Sequence, residues 1–260
     1  TGQPISTLSS HLINTPIQMA MLSGAIGRAE NYLFIVDADG SIAVFNSNRV
    51  EQRAGWTQFT SQGSFHSVCV IDTRVYAVVK FDKGDGTNKY FLCEFSNSFN
   101  TDLAKTYSGT NGVFSVSSDF ANGAVVDVVN GTFYLGSFTV SGGNVDVSSV
   151  DSSISSAEIG LKFDVTLKTN PIDAVVADGP LTGEFRTVQR VVLDLNNTLS
   201  VTVNNTNLII RQVTDDMSQP RNAVTGKKEF RLLGFGTDPQ VTITQNAPLA
   251  LQINSIVAEI

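Results

Sequence analysis

Short runs of alternating apolar and polar residues, each ended by a turn signal, constrain the fold of this chain most strongly. The runs "NYLFIVDADG" (31–40) and "SIAVFNS" (41–47) flank Asp39-Gly40, a pair that tolerates the positive φ angles of a tight hairpin. Side chains alternate between the two faces of a strand, so these runs predict half-buried strands. We find no long amphipathic helix pattern anywhere. The sequence therefore predicts an all-β protein.

A second series of strands repeats the first. Tyr32 in "YLFIVDADG" corresponds to Tyr76 in "YAVVKFDKGDG", 44 residues later, with "KGDGTN" as the second hairpin loop. This offset falls in the ~40–45-residue period of four-stranded propeller blades. Residues 1–100 are thus predicted to form a partial β-propeller of about two blades, with strands at 17–24, 31–40, 41–47, 55–61, 64–72, 74–82 and 89–96. Because two blades cannot close a ring and the chain begins with Thr1, we expect further blades upstream.

Two further regions are predicted after a polar, turn-rich linker at 96–112. Residues 101–150 read as a small β-module with hairpin turns at Asn130-Gly131 and Gly142-Gly143. Residues 151–260 read as a β-sandwich-like or barrel-like C-terminal domain, entered through an exposed Ser-rich connection (148–158). The predicted strands are 113–118, 124–130, 132–140, 144–149, 159–170, 185–195, 199–203, 207–213, 227–234, 240–245 and 249–260.

Local alternatives arise in the C-terminal region. The "NNT" tripeptides at 196–198 and 204–206 are predicted turns, and 215–226 is a predicted long loop. Residues 185–195 could instead form a short helix, since Phe185, Val188, Val191 and Val192 have helical spacing. The β-branched run that leads into "LDL" favours a strand.

The stretch "GWTQFTSQGSFHSVCV" (55–70) collects Trp56, His66 and Cys69, which raises the possibility of an active site. Strand alternation places Ser64, His66 and Val68 on one face and Cys69 on the other, which argues against a Cys–His pair. A Ser64–His66 pair is allowed, but the strand holds no acidic residue to orient the imidazole. We favour packing, with Trp56 largely buried at a blade edge.

Other candidate chemistry is weak. "DADGS" (37–41) and "FDKGDG" (81–86) resemble the start of a calcium loop but lack later carboxylates, so hairpin turns are favoured. Cys69 and Cys93 are interpreted as buried free thiols in neighbouring strands, and with His11 and His66 they form no spaced zinc motif. No helix follows the Gly-x-Gly of "LLGFGTD" (232–238), so a phosphate site is not expected.

We therefore assign no catalytic, cofactor-binding or metal-ligating residue and expect no cofactor. A carboxylate pair for glycoside cleavage stays open. The available candidates are Asp127, Asp146, Asp164, Asp194, Asp215 and Asp216.

The charge balance argues against tight nucleic-acid binding. The net charge is −7, and the close basic grouping at 219–231 lacks interleaved aromatic residues. No apolar run approaches the ~18 residues that cross a bilayer, and no signal-peptide pattern opens the chain, so membrane insertion is not expected.

Several segments resemble the C-terminal portion of the tail nozzle proteins (tail tubular protein B) of short-tailed bacteriophages. The most specific is "AGWTQFTSQGSFHSVCVIDTRVYAVVK" (54–80). "SSHLINTPIQMAML", "NYLFIVDADGSIAVF", "VFSVSSDFANGAVVDVVNGTFYLGSFTVSGGNVDV", "IGLKFDVTLKT" and "VTITQNAPLALQINSIVAEI" occur in the same order as in that family. The resemblance covers nearly the whole chain and consists of packing residues.

The resemblance implies a virion protein without enzymatic activity. Subunits of this family form a six-fold ring that surrounds the channel for DNA ejection, and they contact tail adaptor and tail fibre proteins. The family protein is much longer than this chain, so we expect these residues alone to be monomeric or weakly associated. The alternative function is a tail-associated glycan-binding or glycan-hydrolysing protein.

Overall fold

The structure is a computed structural model that describes residues 9–25, 28–48, 50–83, 85–172, 175–176, 179–180, 185–211, 219–232 and 235–259. Strands dominate, and the described residues include one short 3₁₀ turn, Ser10–Leu12, and no α-helix. The predicted all-β class is confirmed. The chain divides into two compact units, Thr1–Val126 with Ser137–Phe163, and Asp127–Gly136 with Asp164–Ile260.

The first unit opens with two antiparallel sheets that follow the predicted strands closely. Sheet 1 has the order β1-β2-β3-β4, with strands Pro16–Leu22, Asn31–Asp37, Ile42–Asn48 and Arg53–Phe59. Sheet 2 has the order β5-β6-β7, with strands Ser64–Ile71, Arg74–Asp82 and Asn88–Glu94. Each sheet is a simple meander, so the repeated strand pattern corresponds to a repeated sheet.

The hairpin between β2 and β3 forms at the predicted place, but only one of the two central residues has the positive φ angle expected for both. Gly40 has φ +86°, whereas Asp39 is not left-handed. The Gly40 N–H donates to the Asp37 carbonyl at 3.0 Å, and the Asp37 N–H donates to the Ser41 carbonyl at 3.0 Å. A carboxylate oxygen of Asp39 accepts the N–H (2.9 Å) and the hydroxyl (2.7 Å) of Ser41. "DADGS" is therefore a hairpin turn in which the Asp39 carboxylate accepts hydrogen bonds from Ser41 of the same turn.

One hydrophobic core lies between sheets 1 and 2. It joins the residues that point inward from both meanders, and the ring of Phe95 stacks on Phe34 and Phe65 at the end of β7. The buried members are Leu22, Phe34, Val36, Ile42, Val44, Phe65, Val68, Val75, Ala77 and Val79. Burial of alternate residues on both sheets is what fixes the two meanders face to face.

Sheet 3 corrects the predicted linker at 96–112. Residues Asp102–Thr110 form strand β8, which pairs antiparallel with strand β13, Ser156–Leu161. The remaining strands are β9 (Val113–Ser115), β10 (Val125–Asn130), β11 (Phe133–Thr139) and β12 (Asn144–Asp146), in the order β11-β10-β13-β8-β9-β12. The polar residues of β8 suggested a linker, but its partner strand lies about fifty residues further along and buries Tyr107. β13, from beyond residue 150, is thus an inner strand of the sheet that holds the predicted module.

Glycine turns connect these strands as predicted. Gly142 and Gly143 both have positive φ (+59° and +76°), as a two-residue type I′ turn requires, and Gly131 has φ +60° between β10 and β11. Asn111 and Gly112, inside the predicted linker, also have positive φ (+52° and +76°) and join β8 to β9. The Ser-rich connection is exposed up to Ser153, after which Ile154 is buried.

The predicted strand at 159–170 is interrupted. β13 ends at Leu161 and strand β14, Thr166–Lys168, pairs with a different sheet in the second unit. The further strands are β15 (Val175–Val176), β16 (Gly179–Pro180), β17 (Arg190–Thr198), β18 (Thr202–Val203), β19 (Thr206–Asn207), β20 (Val224–Arg231), β21 (Thr242–Thr244) and β22 (Ile253–Glu259). They form sheets of order β14-β21-β18-β19 and β20-β17-β22 and the hairpin β15-β16.

Three local predictions for this unit meet different outcomes. β17 is a strand, so the helical alternative for 185–195 is wrong. Asn204 and Asn205 have positive φ (+42° and +68°) and form the predicted turn between β18 and β19. The "NNT" at 196–198 is not a turn; Asn197 has φ +46° at an irregularity of the register within β17.

The predicted loop at 215–226 is shorter than expected. Residues 215–218 lie outside the described residues, and β20 already begins at Val224.

A separate hydrophobic core supports the second unit. Alternate residues of β17 are buried together with residues of β18, β20 and β21, and its members are Val188, Val191, Leu193, Leu195, Val201, Val203, Phe230, Leu232, Val241 and Ile243. The period-2 burial of β17 explains why its β-branched sequence forms a strand.

Candidate functional site

The stretch 55–70 contains a β-bulge that the sequence did not reveal. In the β5–β6 pairing, Phe65 lies opposite Val79 and Ser67 lies opposite Val78, so His66 is the extra residue. The bulge reverses the alternation, and Phe65 and Val68 both point into the core. The predicted face of Ser64, His66 and Val68 is therefore wrong. His66 lies at the surface, with its ring edge-on to Tyr90 at a centroid distance of 5.9 Å.

The two cysteines lie on opposite faces of sheet 2. Cys69 is exposed, opposite Tyr76, while the half-buried Cys93 lies opposite Ala77 beside the core. β6 separates their strands, so the predictions of neighbouring strands and of a buried Cys69 are wrong. Burial, helped by the charge of Asp102, raises the pKa of the Cys93 thiol to about 11. That shift opposes thiolate chemistry at neutral pH.

Ser64 and Trp56 serve packing roles. The Phe65 N–H donates to the Gly40 carbonyl at 2.8 Å, and Ser64 fits so closely that a Cβ on Gly40 would lie 2.5 Å from the Ser64 Cβ. Trp56 lies on the edge strand β4, as predicted, with its ring 4.9 Å from that of Phe45. It is half-buried rather than largely buried, because β4 is an edge strand whose other residues are all exposed.

The described candidate carboxylates for glycoside cleavage lie in separate elements. Asp127 is buried in β10 and accepts the Tyr134 hydroxyl at 3.0 Å. Asp146 is exposed, and hydrogen bonds from Ser148 lower its pKa. Asp194 lies in β17 opposite Lys227. Asp164 follows β13, and Asp215 and Asp216 lie outside the described residues.

A polar cluster that sequence reasoning missed joins sheet 2 to sheet 3. The carboxylate of Asp119 accepts hydrogen bonds from Lys89 Nζ at 2.5 Å, Tyr107 Oη at 2.6 Å and Ser118 Oγ at 2.9 Å. Burial opposes ionisation of Asp119, but these hydrogen bonds outweigh it and hold its pKa well below the usual range. Burial and the neighbouring Asp119 raise the pKa of Tyr107 well above its usual value.

Two further acidic side chains, Glu158 and Asp102, accept hydrogen bonds from backbone N–H groups of other segments. Glu158 Oε1 accepts the N–H groups of Asn100 (2.7 Å) and Thr101 (2.8 Å), and the Thr101 hydroxyl at 2.7 Å. Asp102 accepts the hydroxyl of Ser61 at 2.6 Å, and burial raises its pKa. The Asp102 contact holds the start of β8 against the β4–β5 connection, and the Glu158 contacts hold the residues before β8 against β13. Their partners lie 41 to 58 residues away, and no local motif marks them.

The most prominent functional feature is a pair of exposed apolar faces. Face A is the side of sheet 1 that points away from sheet 2, and Met21, Leu33, Phe45 and Trp56 lie opposite one another across it. Its remaining apolar members are Ile17, Met19, Ile35 and Ala43, and Ala43, opposite Ile35, is buried. Met19 is 71% exposed. Solvent-exposed apolar area of this kind is typical of interaction surfaces.

Face B is the side of sheet 2 that points away from sheet 1. Ser67, Val78 and Leu92 lie opposite one another across it, and Leu92 is 76% exposed. The other members are Cys69, Ile71, Tyr76, Lys80 and Tyr90. Both outer sides of the sheet 1–sheet 2 pair therefore carry exposed apolar side chains, Met19 and Met21 on face A and Ile71 and Leu92 on face B.

Among the described residues, no three or more His, Cys, Asp or Glu side chains are grouped so that they could hold a metal ion. Within the same part of the chain, no helix is long and apolar enough to cross a membrane. Searches against protein-family models and against curated protein sequences find no match for this chain. The candidate site is the pair of faces A and B.

Proposed function

We propose that this chain is a structural subunit of the tail conduit through which a short-tailed bacteriophage ejects its DNA. One observation carries the proposal. The segment with the most specific resemblance to nozzle proteins (54–80) spans sheets 1 and 2, and five of its apolar residues pack in the core between them. Phe65, Val68, Val75, Ala77 and Val79 are all buried there. The shared residues thus serve assembly of the fold.

In this proposal sheets 1 and 2 are about two blades of a β-propeller, and the second unit is a sandwich-like or barrel-like C-terminal domain. Three features support this. Both sheets are meanders, the chain passes from the edge strand β4 of sheet 1 directly to the edge strand β5 of sheet 2, and the two sheets pack face to face. Propeller blades pack against neighbours on both sides. Exposed apolar side chains on faces A and B suit contacts with further blades, whether these belong to the same polypeptide or to a second copy.

The protein acts in the virion tail without catalysing a reaction. In the full-length polypeptide it forms a six-fold ring that contacts adaptor and fibre proteins. The net charge of −7 suits a conduit, because an acidic wall repels the DNA backbone over a Debye length of about 8 Å. DNA that bound tightly to the wall would leave slowly.

Electron microscopy of particles tests the assignment. Antibodies raised against this chain are added to intact particles of the phage that encodes it, with antibodies against a head protein as the control. We expect gold label at the tail tip or shaft. Label confined to the head, or protein found in infected cells but absent from purified particles, would contradict the proposal.

A glycan-binding function is the second candidate, and one observation favours it. The rings of Phe185 and Phe235 are 73% and 80% exposed and meet edge-to-face at a centroid distance of 5.9 Å. Exposed aromatic rings can serve as platforms for sugars. Incubation with host surface polysaccharide distinguishes the candidates: retention or shortening of the polysaccharide that is lost in Phe185→Ala/Phe235→Ala would favour the glycan function.

A further inference from the structure

Faces A and B are related to the internal contact between sheets 1 and 2 by the sequence repeat. In the 44-residue repeat, Phe34 and Val36 of β2 correspond to Val78 and Lys80 of β6. Phe34 and Val36 point into the core, whereas Val78 and Lys80 lie on face B. The same advance carries Ile35 of face A onto Val79, which points from sheet 2 into the core.

The next strand along the chain follows the same rule. Between β3 and β7 the offset is 46 residues, so Val44 corresponds to Tyr90 and Phe45 of face A corresponds to Phe91. Val44 is buried, whereas Tyr90 is exposed. Phe91 lies opposite Val79 on the inner side of sheet 2. The repeat therefore exchanges inner and outer faces in both strands.

It follows that the contact between sheets 1 and 2 is head-to-tail. The side of sheet 1 that meets sheet 2 is equivalent to face B, and the side of sheet 2 that meets sheet 1 is equivalent to face A. Faces B and A are thus equivalent to the two surfaces that meet in the contact between sheets 1 and 2. A contact between unlike patches of identical subunits extends into rings or chains.

We propose that face A of one copy binds face B of a second copy in the arrangement that sheets 1 and 2 adopt within the chain. A second copy is the fitting occupant because it carries the matching half. Met19 and Leu92, the most exposed apolar side chains of the two faces, become covered in this contact. The contact does not require that the chain belong to a phage tail.

The expected strength is modest. Face B includes Lys80, and Arg74 and Glu94 flank it, so part of the contact is polar. Since one sheet face is covered per contact, we expect association between about 10 µM and about 1 mM, the range of weak interfaces. This agrees with the expectation that these residues alone are monomeric or weakly associated.

Sedimentation velocity across that concentration range tests the proposal with three variants. Met19→Glu places a charge on face A, and Leu92→Glu places one on face B. Val50→Glu is the control, since Val50 is exposed in the β3–β4 turn and belongs to neither face. We expect the wild type and Val50→Glu to form growing oligomers, and each face variant alone to associate about tenfold more weakly or not at all.

A mixture of the two face variants distinguishes a head-to-tail contact from a symmetric one. Met19→Glu retains face B and Leu92→Glu retains face A, so an equimolar mixture should form dimers that do not grow further. Association of Leu92→Glu with itself as strong as that of the wild type would indicate an A–A contact and overturn the proposal. A wild type that stays monomeric throughout the range would also overturn it.

Protection of Cys69 provides a second readout that does not depend on a variant folding. Cys69 is exposed on face B, so a pulse of iodoacetamide should label it more slowly at high protein concentration than at low. Labelling should be independent of concentration in Met19→Glu if its fold is intact. Equal Cys69 labelling at all wild-type concentrations at which oligomers form would place the contact elsewhere and contradict the proposal.

Discussion

The ammonium nitrogen of Lys89 lies 2.5 Å from a carboxylate oxygen of Asp119, and this pair joins β7 of sheet 2 to the turn after β9. Asp119 is one of the more deeply covered acidic side chains, and Tyr107 and Ser118 complete its hydrogen bonds. A carboxylate held in this way stabilises the folded state through its charge.

The Asp119 cluster predicts a pH-dependent stability difference. Its pKa is lower in the folded state than the ordinary value of 3.8, so its contribution is complete above that pH and is lost as the pH falls below it. We expect Asp119→Asn to lower the free energy of unfolding by about 2 kcal/mol at pH 7.

Urea unfolding at neutral pH and near pH 3 measures this difference. The gap between Asp119→Asn and the wild type should narrow at the lower pH. Asp146→Asn is the control, because Asp146 is exposed and binds only the Ser148 turn, and its effect should be smaller. A gap that is unchanged at low pH would mean that the charge of Asp119 does not stabilise the fold.

Gly40 and Gly86 form a matched pair of hairpin glycines. Both have positive φ (+86° and +80°), but a Cβ on Gly40 would lie 2.5 Å from the Ser64 Cβ, whereas one on Gly86 meets nothing within 4 Å. Gly86→Ala should cost about 1 kcal/mol and Gly40→Ala more than about 2 kcal/mol. Thermal unfolding of both variants checks this, and equal losses would exclude a close approach of Ser64.

Trp56 should matter less than a fully buried tryptophan. It is half-buried on an edge strand and packs against Phe45, so Trp56→Ala should cost about 2 kcal/mol rather than the 3–5 kcal/mol of a core site. Denaturant unfolding measures the cost. An unchanged midpoint would contradict the assignment of β4.

The two thiols should differ in reactivity. Cys69 is exposed, and Cys93 is half-buried with a pKa of about 11, so at pH 8 in dilute protein we expect Cys69 to be alkylated at least about tenfold faster. Peptide mass spectrometry after timed iodoacetamide treatment resolves the two sites. In Cys69→Ser only the slow reaction should remain; a fast reaction at Cys93 would show that the sheet opens readily.

Duplex DNA should not bind this chain under physiological conditions. With a net charge of −7, neutralisation of phosphates cannot supply much affinity at about 0.15 M salt. Fluorescence anisotropy of a labelled duplex should show no saturable binding. Tight binding that weakens steeply with added salt would contradict a role as a non-adhesive conduit wall.

The all-β class, the strands of sheets 1 and 2 and most of the turns could be predicted from the sequence. These features depend on interactions between near neighbours. Alternation at period 2 decides which residues can be buried together, and Asn and Gly residues such as Gly143 and Asn204 reach positive φ without help from the rest of the chain.

Features that depend on distant partners could not be predicted and became visible in the folded chain. The bulge at His66 changed the faces of Ser67, Val68 and Cys69, because the register of β5 is set by its pairing with β6. β8 looked like a linker because its partner is β13. The Asn111-Gly112 turn, which joins β8 to β9, was the one local signal that could have revealed it.

The candidate surface follows the same division. Periodicity alone shows that Met19 and Met21 share one face of their strand and that Leu33 and Ile35 share one face of theirs, but it cannot show which face of a two-sided apolar sheet is covered. That choice was made by the packing of sheet 2 on Phe34 and Val36, which buried one side and left Met19 and Met21 of face A exposed. Burial is a property of pairs of surfaces brought together by the fold, and a single strand pattern specifies only one member of each pair.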